Sequence, residues 1–343
     1  MMTAAGKNQE AVLCLLIAAG SASERRKMKK YVALICILTA LSACLPCMHG
    51  GQAFAQQPPM PVVPVRHLFD IQDDFNHPSD VAVGAGGRIY VLDGVNSRIK
   101  VFDAAGGRLF AFGSRGDAAA QLASPLGLDT DEQGNVYVAD SGNRRVQVFS
   151  ADGKFLSSFG FGDLRGSKPP DPTDIAVDST NNRCYVIDND NHRVLAYSLD
   201  GSRLIDQWGG IGEKPGEFRF PFLAAMDRHG ILYVVDVLNT RVQALNAQGR
   251  VMSYIGKWGV DRGQLYRPKG VAVDARNRIY ISDSYLGVVQ VFERYRKLRG
   301  VLGDEAGNLL RLKTPTGLCV DDGVRIYIVE MLLNKVSVYR VVE

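Results

Sequence analysis

Four times in this chain an aspartate is followed three residues later by asparagine and five residues later by arginine: Asp93/Asn96/Arg98, Asp140/Asn143/Arg145, Asp188/Asn191/Arg193 and Asp236/Asn239/Arg241. A carboxylate, a carboxamide and a guanidinium at that spacing have two uses. They can form a ring of ion or anion sites, or they can close a turn, with the arginine forking onto a carboxylate of its own or the neighbouring copy. A constellation that recurs defines no single site, so the set is read as construction. The departures from recurrence carry more. Where three copies have Gly127, Gly270 and Gly317, two others have Asp80 and Asp174, and one has Leu223. Two carboxylates at the mouth of a channel, with His77 nearby, would suit a divalent cation or a polar ligand. The bland alternative is that each caps a turn or meets an arginine of the repeat.

These residues belong to a repeat that must position them. Pro78, Pro125, Pro172, Pro221, Pro268 and Pro315 each open an apolar run, and each is followed by a Tyr-centred segment closing on Asp93, Asp140, Asp188, Asp236, Asp283 or Glu330. The copies lie about 47 residues apart, a period that signals a solenoid, an array or a propeller. In the second copy the segments are Pro125-Leu-Gly-Leu-Asp129, Gly134 to Asp140, Ser141 to Phe149 and Gly153 to Gly160. Each is a short stretch rich in Val, Tyr and Phe bounded by turn residues, which predicts four strands per copy and one antiparallel blade. The first strand is rich in small residues, as in Gly270-Val-Ala-Val-Asp274, and suits a crowded axis; the fourth, as in Arg108 to Gly113, suits the outer edge.

The sixth copy ends after its third strand, while Pro64 to Ile71 reads as an outer strand with nothing upstream to pair with. The N-terminal strand is therefore expected to complete the last blade and close a six-bladed ring, which removes an open sheet edge.

The turns after the second strand also differ around the ring. Copies one to three are polar there (Gly94 to Ser97, Ser141 to Arg144, Asn189 to His192), whereas copies four to six carry Val237-Leu238, Tyr285-Leu286 and Met331-Leu332-Leu333. Leu238, Tyr285, Leu286, Met331 and Leu332 thus form a candidate partner-binding arc. The alternative is that the longer loops at Gly209 to Phe220 and Gly256 to Arg267 fold over and bury it.

Other chemistries find little support. The body holds four histidines, His67, His77, His192 and His229, and no three are expected to converge as a catalytic zinc requires. A Gly-x-Ser-x-Gly elbow and a phosphate-binding loop are absent from the sequence. The segment Arg294 to Arg299 is basic with one aromatic and reads as a solvated loop. Cys184 and Cys319 stand where other copies have aliphatic residues or alanine, so both read as small core side chains without a disulfide.

The net charge of +4 comes from the N-terminus. Residues 1–44 carry six basic and two acidic side chains of the chain's 40 and 36, leaving a neutral body that disfavours nucleic acid. Arg25 to Lys30 followed by the apolar run Tyr31 to Ala43 reads as an export signal within residues 1–55, too short for a membrane span. Leu41 to Cys44 resembles a lipobox, making Cys44 a candidate lipid attachment site, while Ala53-Phe-Ala55 fits cleavage after residue 55. Met28 is an alternative start, which would make residues 1–27 an extension outside the true product. Residues 56–63 read as an extended linker, and 64–343 as the propeller.

The segments Gly-Val-Ala-Val-Asp, Ile/Val-Tyr-Val-x-Asp, Asn-x-Arg-Val-Gln-Val-Phe and a closing Phe-Gly resemble NHL repeats. That resemblance covers residues 64–343 and implies an all-β, six-bladed propeller. It specifies function weakly. The expected function is that of a monomeric extracytoplasmic propeller, periplasmic or lipid-anchored, that binds a protein or cell-envelope component through one face, with no nucleic acid partner and no cofactor. The alternative implied by the resemblance is a metal-dependent lyase or lactone hydrolase at the channel mouth, for which Asp80, Asp174 and His77 are the best residues. RNA binding, known for some eukaryotic relatives, fits poorly with export and a neutral body.

Overall fold

The computed structural model describes residues 60–342, apart from 163, 165–167 and 295. The expected export signal, Cys44 and most of the linker lie outside the described residues. Every regular element among the described residues is a strand, except for four three-residue 3-10 turns. No helix among them is long and apolar enough to cross a membrane.

The second strand of each repeat is a buried, mostly apolar run closing on an acid, as at Ile89–Asp93, Val136–Asp140, Leu232–Asp236 and Ile279–Asp283. A strand buried on both faces needs no polar alternation, which accounts for runs such as Ile-Tyr-Val-Leu. The fourth strand, as at Arg108–Phe112, is largely exposed. Six hydrophobic clusters hold the molecule together, and each lies between successive repeats. One packs Leu92 and Val101 of the first repeat against Leu128, Val138 and Phe149 of the second. Another packs Tyr327 and Val338 of the last repeat against Val81, Ile89 and Phe102 of the first, so the series returns on itself.

Four repeats form separate four-stranded antiparallel sheets, whereas the fifth and sixth share one eight-stranded sheet. Six separate sheets are therefore not what is observed. The cause is the N-terminal strand, Val62–Gln72. It pairs antiparallel with Lys335–Val341, from Val65 opposite Val341 to Gln72 opposite Lys335. Its first residues also pair in parallel with Val301–Gly303 of the fifth repeat. The strand begins at Val62, within the segment read as linker, and Val63, Val65 and Ile71 are buried.

A buried lysine secures the exit from this strand. The Lys100 Nζ lies against Asp74, 3.3 Å from Asp73 and 4.6 Å from the centre of the Phe75 ring. Arg98 also reaches Asp74, at 2.7 Å. In the other repeats the Lys100 position holds Gln147, Leu195, Gln243, Gln290 or Ser337, so this ionic knot is specific to the point where the ring closes.

Candidate functional site

The inner strands Asp80–Val83, Gly127–Thr130, Pro172–Asp178, Pro221–Met226, Pro268–Val273 and Pro315–Val320 surround an internal cavity of about 180 Å³. One wall, from the first three repeats, carries Asp80, Asp129 and Asp174; the opposite wall is apolar, including Leu223, Met226, Val271 and Leu318. Each carboxylate accepts a backbone N–H from the next inner strand: Leu128 donates to Asp80 (3.1 Å), Val177 to Asp129 (2.8 Å) and Ala224 to Asp174 (2.7 Å). The second oxygen of Asp174 is buried without a hydrogen-bond partner.

Burial raises all three carboxyl pKa values, and neighbouring carboxylates add to the rise. Asp80 is pushed up to about 7 by burial, opposed by its backbone hydrogen bonds and helped by Asp129. Asp129 is pushed to about 6, again chiefly by burial. Asp174 is held well above the usual carboxylate range by burial and by the charges of Asp80 and Asp129. The trio straps neighbouring inner strands together.

Neither Asp80 nor Asp174 meets an arginine, and neither stands at an open mouth: both line the internal cavity. His77 does not join them. It is exposed on the rim, its Nδ1 is 2.8 Å from Asn76 Oδ1, and its backbone N–H donates to Asn334. Among the described residues no three His, Cys, Asp or Glu side chains come together as a metal site.

The glycines at this level make room for the carboxylates. A Cβ on Gly127 would sit 2.8 Å from Asp174 Cα, and one on Gly317 would sit 2.6 Å from Asp80 Cα. Backbone cannot yield as a side chain can, so Gly127→Ala is expected to cost about 1–3 kcal/mol through overpacking. Urea unfolding checks this, and a variant as stable as the parent would show that the strands part without cost.

A larger cavity of about 730 Å³ opens on the face that carries the first-to-second turns, and it shares Val83, Met226 and Val320 with the internal one. Its acids repeat: Asp131, Asp227 and Asp321 each accept turn N–H groups and a tyrosine hydroxyl from Tyr137, Tyr233 and Tyr327. They are engaged in turn construction and single out no ligand.

The Asp/Asn/Arg sets lie on the opposite, upper face. Arg98, Arg145, Arg193 and Arg241 each donate from Nε to Asp93, Asp140, Asp188 and Asp236 of their own repeat, at 2.8–2.9 Å. Asn96, Asn143, Asn191 and Asn239 donate to the same carboxylates. The other carboxylate oxygen takes a backbone N–H of the loop entering the repeat, as from Asn76 to Asp93 and Arg219 to Asp236. The set thus ties loop to turn. In the fifth repeat Asp283 does the same for Tyr266, and in the sixth Glu330 does so for Lys313.

On this face Leu238, Tyr285 and Leu332 are exposed, while Leu286 and Met331 are half-buried. The long loops do not cover them; they add Ile211, Trp258 and Val260, each more than 60% exposed. Of the twelve exposed large apolar side chains among the described residues, Val95, Ile211, Leu238, Trp258, Val260, Tyr285, Leu332 and Leu333 lie on these loops and turns; the other four lie on outer strands. Tyr285 stacks on Tyr266 with ring centres 4.2 Å apart, and Trp258 flanks Tyr266 at 6.3 Å. Both cysteines are free thiols; Cys184 is buried and Cys319 lines the cavity.

Asp129 escapes a reading that treats it as the end of the first strand, like Asp274. The register places it opposite Tyr137, whereas Ala82 faces Tyr90, Ala272 faces Tyr280 and Cys319 faces Tyr327. Counting from the tyrosines would have revealed a carboxylate at an alanine position.

The NHL repeat family matches residues 75–102, 122–149 and 170–197. No curated protein sequence matches the chain. Among solved structures, a gluconolactonase from Xanthomonas campestris is similar with a TM-score of 0.61 and 16% identity, over 84% of this chain and 99% of that one. Virginiamycin B lyase from Staphylococcus aureus gives 0.53 and 14%, over 76% and 80%. Hydrazine synthase of Kuenenia stuttgartiensis gives 0.55 and 12%, over 79% and 97%. Three unlike chemistries at such low identity speak to fold alone. Residues 75–197 thus carry three matched NHL repeats, within a propeller-like all-β fold.

Proposed function

We propose that this protein is a non-catalytic binding propeller, located outside the cytoplasm, that engages a cell-envelope protein through the apolar arc of its upper face. The eight-stranded sheet counts as two blades joined edge to edge by the N-terminal strand, which gives six units around the axis. The observation that carries the reading is the gathering of exposed apolar side chains on one face, from Ile211 through Leu238, Trp258 and Tyr285 to Leu332. Exposed apolar area concentrated in this way marks interaction surfaces, and Trp and Tyr are the anchors that interfaces favour.

Hydrolytic or lyase chemistry at the channel is the weaker reading. It needs His77 beside Asp80 and Asp174, whereas the ring of His77 lies with Asn76 and both carboxylates are strapped to neighbouring strands. Leu238→Asp and Leu332→Asp are expected to preserve the circular dichroism spectrum and melting temperature while abolishing retention of envelope proteins by immobilised protein. Retention unchanged in both variants would overturn the reading.

A further inference from the structure

Arg267 and Lys269 flank Pro268 where the fifth inner strand begins, on the upper face beside the aromatic cluster. The guanidinium carbon of Arg267 lies 5.7 Å from the centre of the Tyr285 ring, and Lys269 Nζ lies 4.7 Å from that of Phe222, the residue that follows Pro221 in the neighbouring repeat. No other repeat has a lysine or arginine at either position: the equivalents are His77 and Ser79, Ser124 and Leu126, Asp171 and Thr173, Phe220 and Phe222, and Thr314 and Thr316.

Neither Arg267 nor Lys269 has a carboxylate partner for its side chain among the described residues. The two side chains engage the aromatic rings, while the Arg267 backbone bonds to Asp283 and Ser284. The repeat's other upper-face arginines contrast with them, since Arg98, Arg145, Arg193 and Arg241 are all paired. Burial and the neighbouring Arg267 together lower the Lys269 pKa to about 8. Two half-buried cations two residues apart, without a carboxylate partner among the described residues, repel each other. An anion placed between them would relieve that repulsion and gain charge-assisted hydrogen bonds.

The flanks decide which anion. Phe222, Tyr285, Tyr266 and Trp258 present aromatic surface around the pair, and Leu238 and Leu332 extend it along the arc. A free inorganic ion would leave that surface wet, whereas a peptide brings a carboxylate and apolar side chains together.

The geometry points to a carboxylate subsite at Arg267 and Lys269 that takes an acidic residue of the partner polypeptide, with the partner's adjacent apolar side chains against Tyr285 and Trp258. This subsite rests on the upper-face binding reading and sharpens it from a surface to a chemical preference.

The test uses purified full-chain protein and two N-acetylated tripeptide amides, Leu-Phe-Glu and Leu-Phe-Gln, titrated at pH 7 by calorimetry, with Trp258 fluorescence as a second readout. The Glu peptide is expected to bind about tenfold more tightly than the Gln peptide, the scale of one charge-assisted contact. Arg267→Gln combined with Lys269→Gln should bring the Glu peptide down to the Gln level and leave the Gln peptide unchanged, while Lys269→Arg should keep the preference. Equal binding of the two peptides to the parent protein overturns the subsite, as does a preference that survives the double substitution. Glucuronate binding as tightly as the Glu peptide overturns the peptide assignment in favour of an acidic saccharide. If neither peptide binds although Leu332→Asp still loses envelope proteins, the subsite fails and the binding face stands. If Leu332→Asp loses nothing, the face itself fails.

Discussion

Removal of residues 60–72 is expected to leave no cooperatively folded protein. The deleted strand buries Val63, Val65 and Ile71 and supplies the partner for the whole of Lys335–Val341. Burying an aliphatic side chain contributes about 1.5–3 kcal/mol. Three of them amount to about 5–9 kcal/mol, which matches the whole stability of many domains. The exposed edge of the last strand would then be a template for pairing between molecules. Far-UV circular dichroism melts and size-exclusion chromatography read the outcome. A truncated chain that stays monomeric and melts at the parent temperature would mean that the ring is closed by other contacts.

The second large effect is a loss of stability with rising pH. Asp80, Asp129 and Asp174 all have folded-state pKa values above the ordinary aspartate value, because burial, with a smaller contribution from nearby carboxylates, disfavours their charged forms. Between about pH 4 and pH 7 the folded protein binds more protons at these sites than the unfolded chain, so their contribution falls as pH rises and levels off above the highest folded pKa. At about 1.4 kcal/mol per pK unit, Asp80 alone is worth a few kcal/mol across the window. Asp129, half-buried, adds less. Asp80→Asn keeps an acceptor for the Leu128 N–H and removes the charge. It should flatten the decline and leave the variant more stable than the parent at pH 8, by urea unfolding at pH 4.5 and 8. A parent and variant with the same slope between those pH values would show that Asp80 ionises without penalty.

Much of the architecture could be read from the chain because the repeat writes its strands in the same letters each time. Proline opens the inner strand, tyrosine centres the second, and an acid closes it and bonds the entering loop, even where Glu330 replaces aspartate. The N-terminal strand was legible as an outer strand lacking a predecessor. Its parallel pairing with Val301–Gly303 was not, because it depends on how closely two finished sheets approach. The charged knot at Lys100 was equally hidden, since its partners Asp73 and Asp74 stand more than 25 residues upstream, in the loop entering the repeat.

Legibility at the candidate site followed the same division. Leu238, Tyr285 and Leu332 differed from their counterparts and proved to be exposed. Asp80 and Asp174 also differed, but sequence alone could not say that a neighbouring backbone N–H would hold them inside the cavity. Arg267 and Lys269 look like ordinary surface residues until Tyr285 and Phe222 arrive from other segments. A departure from the repeat marks a position, and only its neighbours fix what that position does.

Pairing of Val65 with Val341 places the beginning and the end of the described chain side by side. Topologically the molecule is a circle that happens to be cut at that point. Joining residue 342 to residue 62 through a short linker, and opening the chain at a turn between outer strands such as Asn246 to Gly249, would preserve every sheet. The order in which the repeats are synthesised is then a property of the gene, and the ring is indifferent to it.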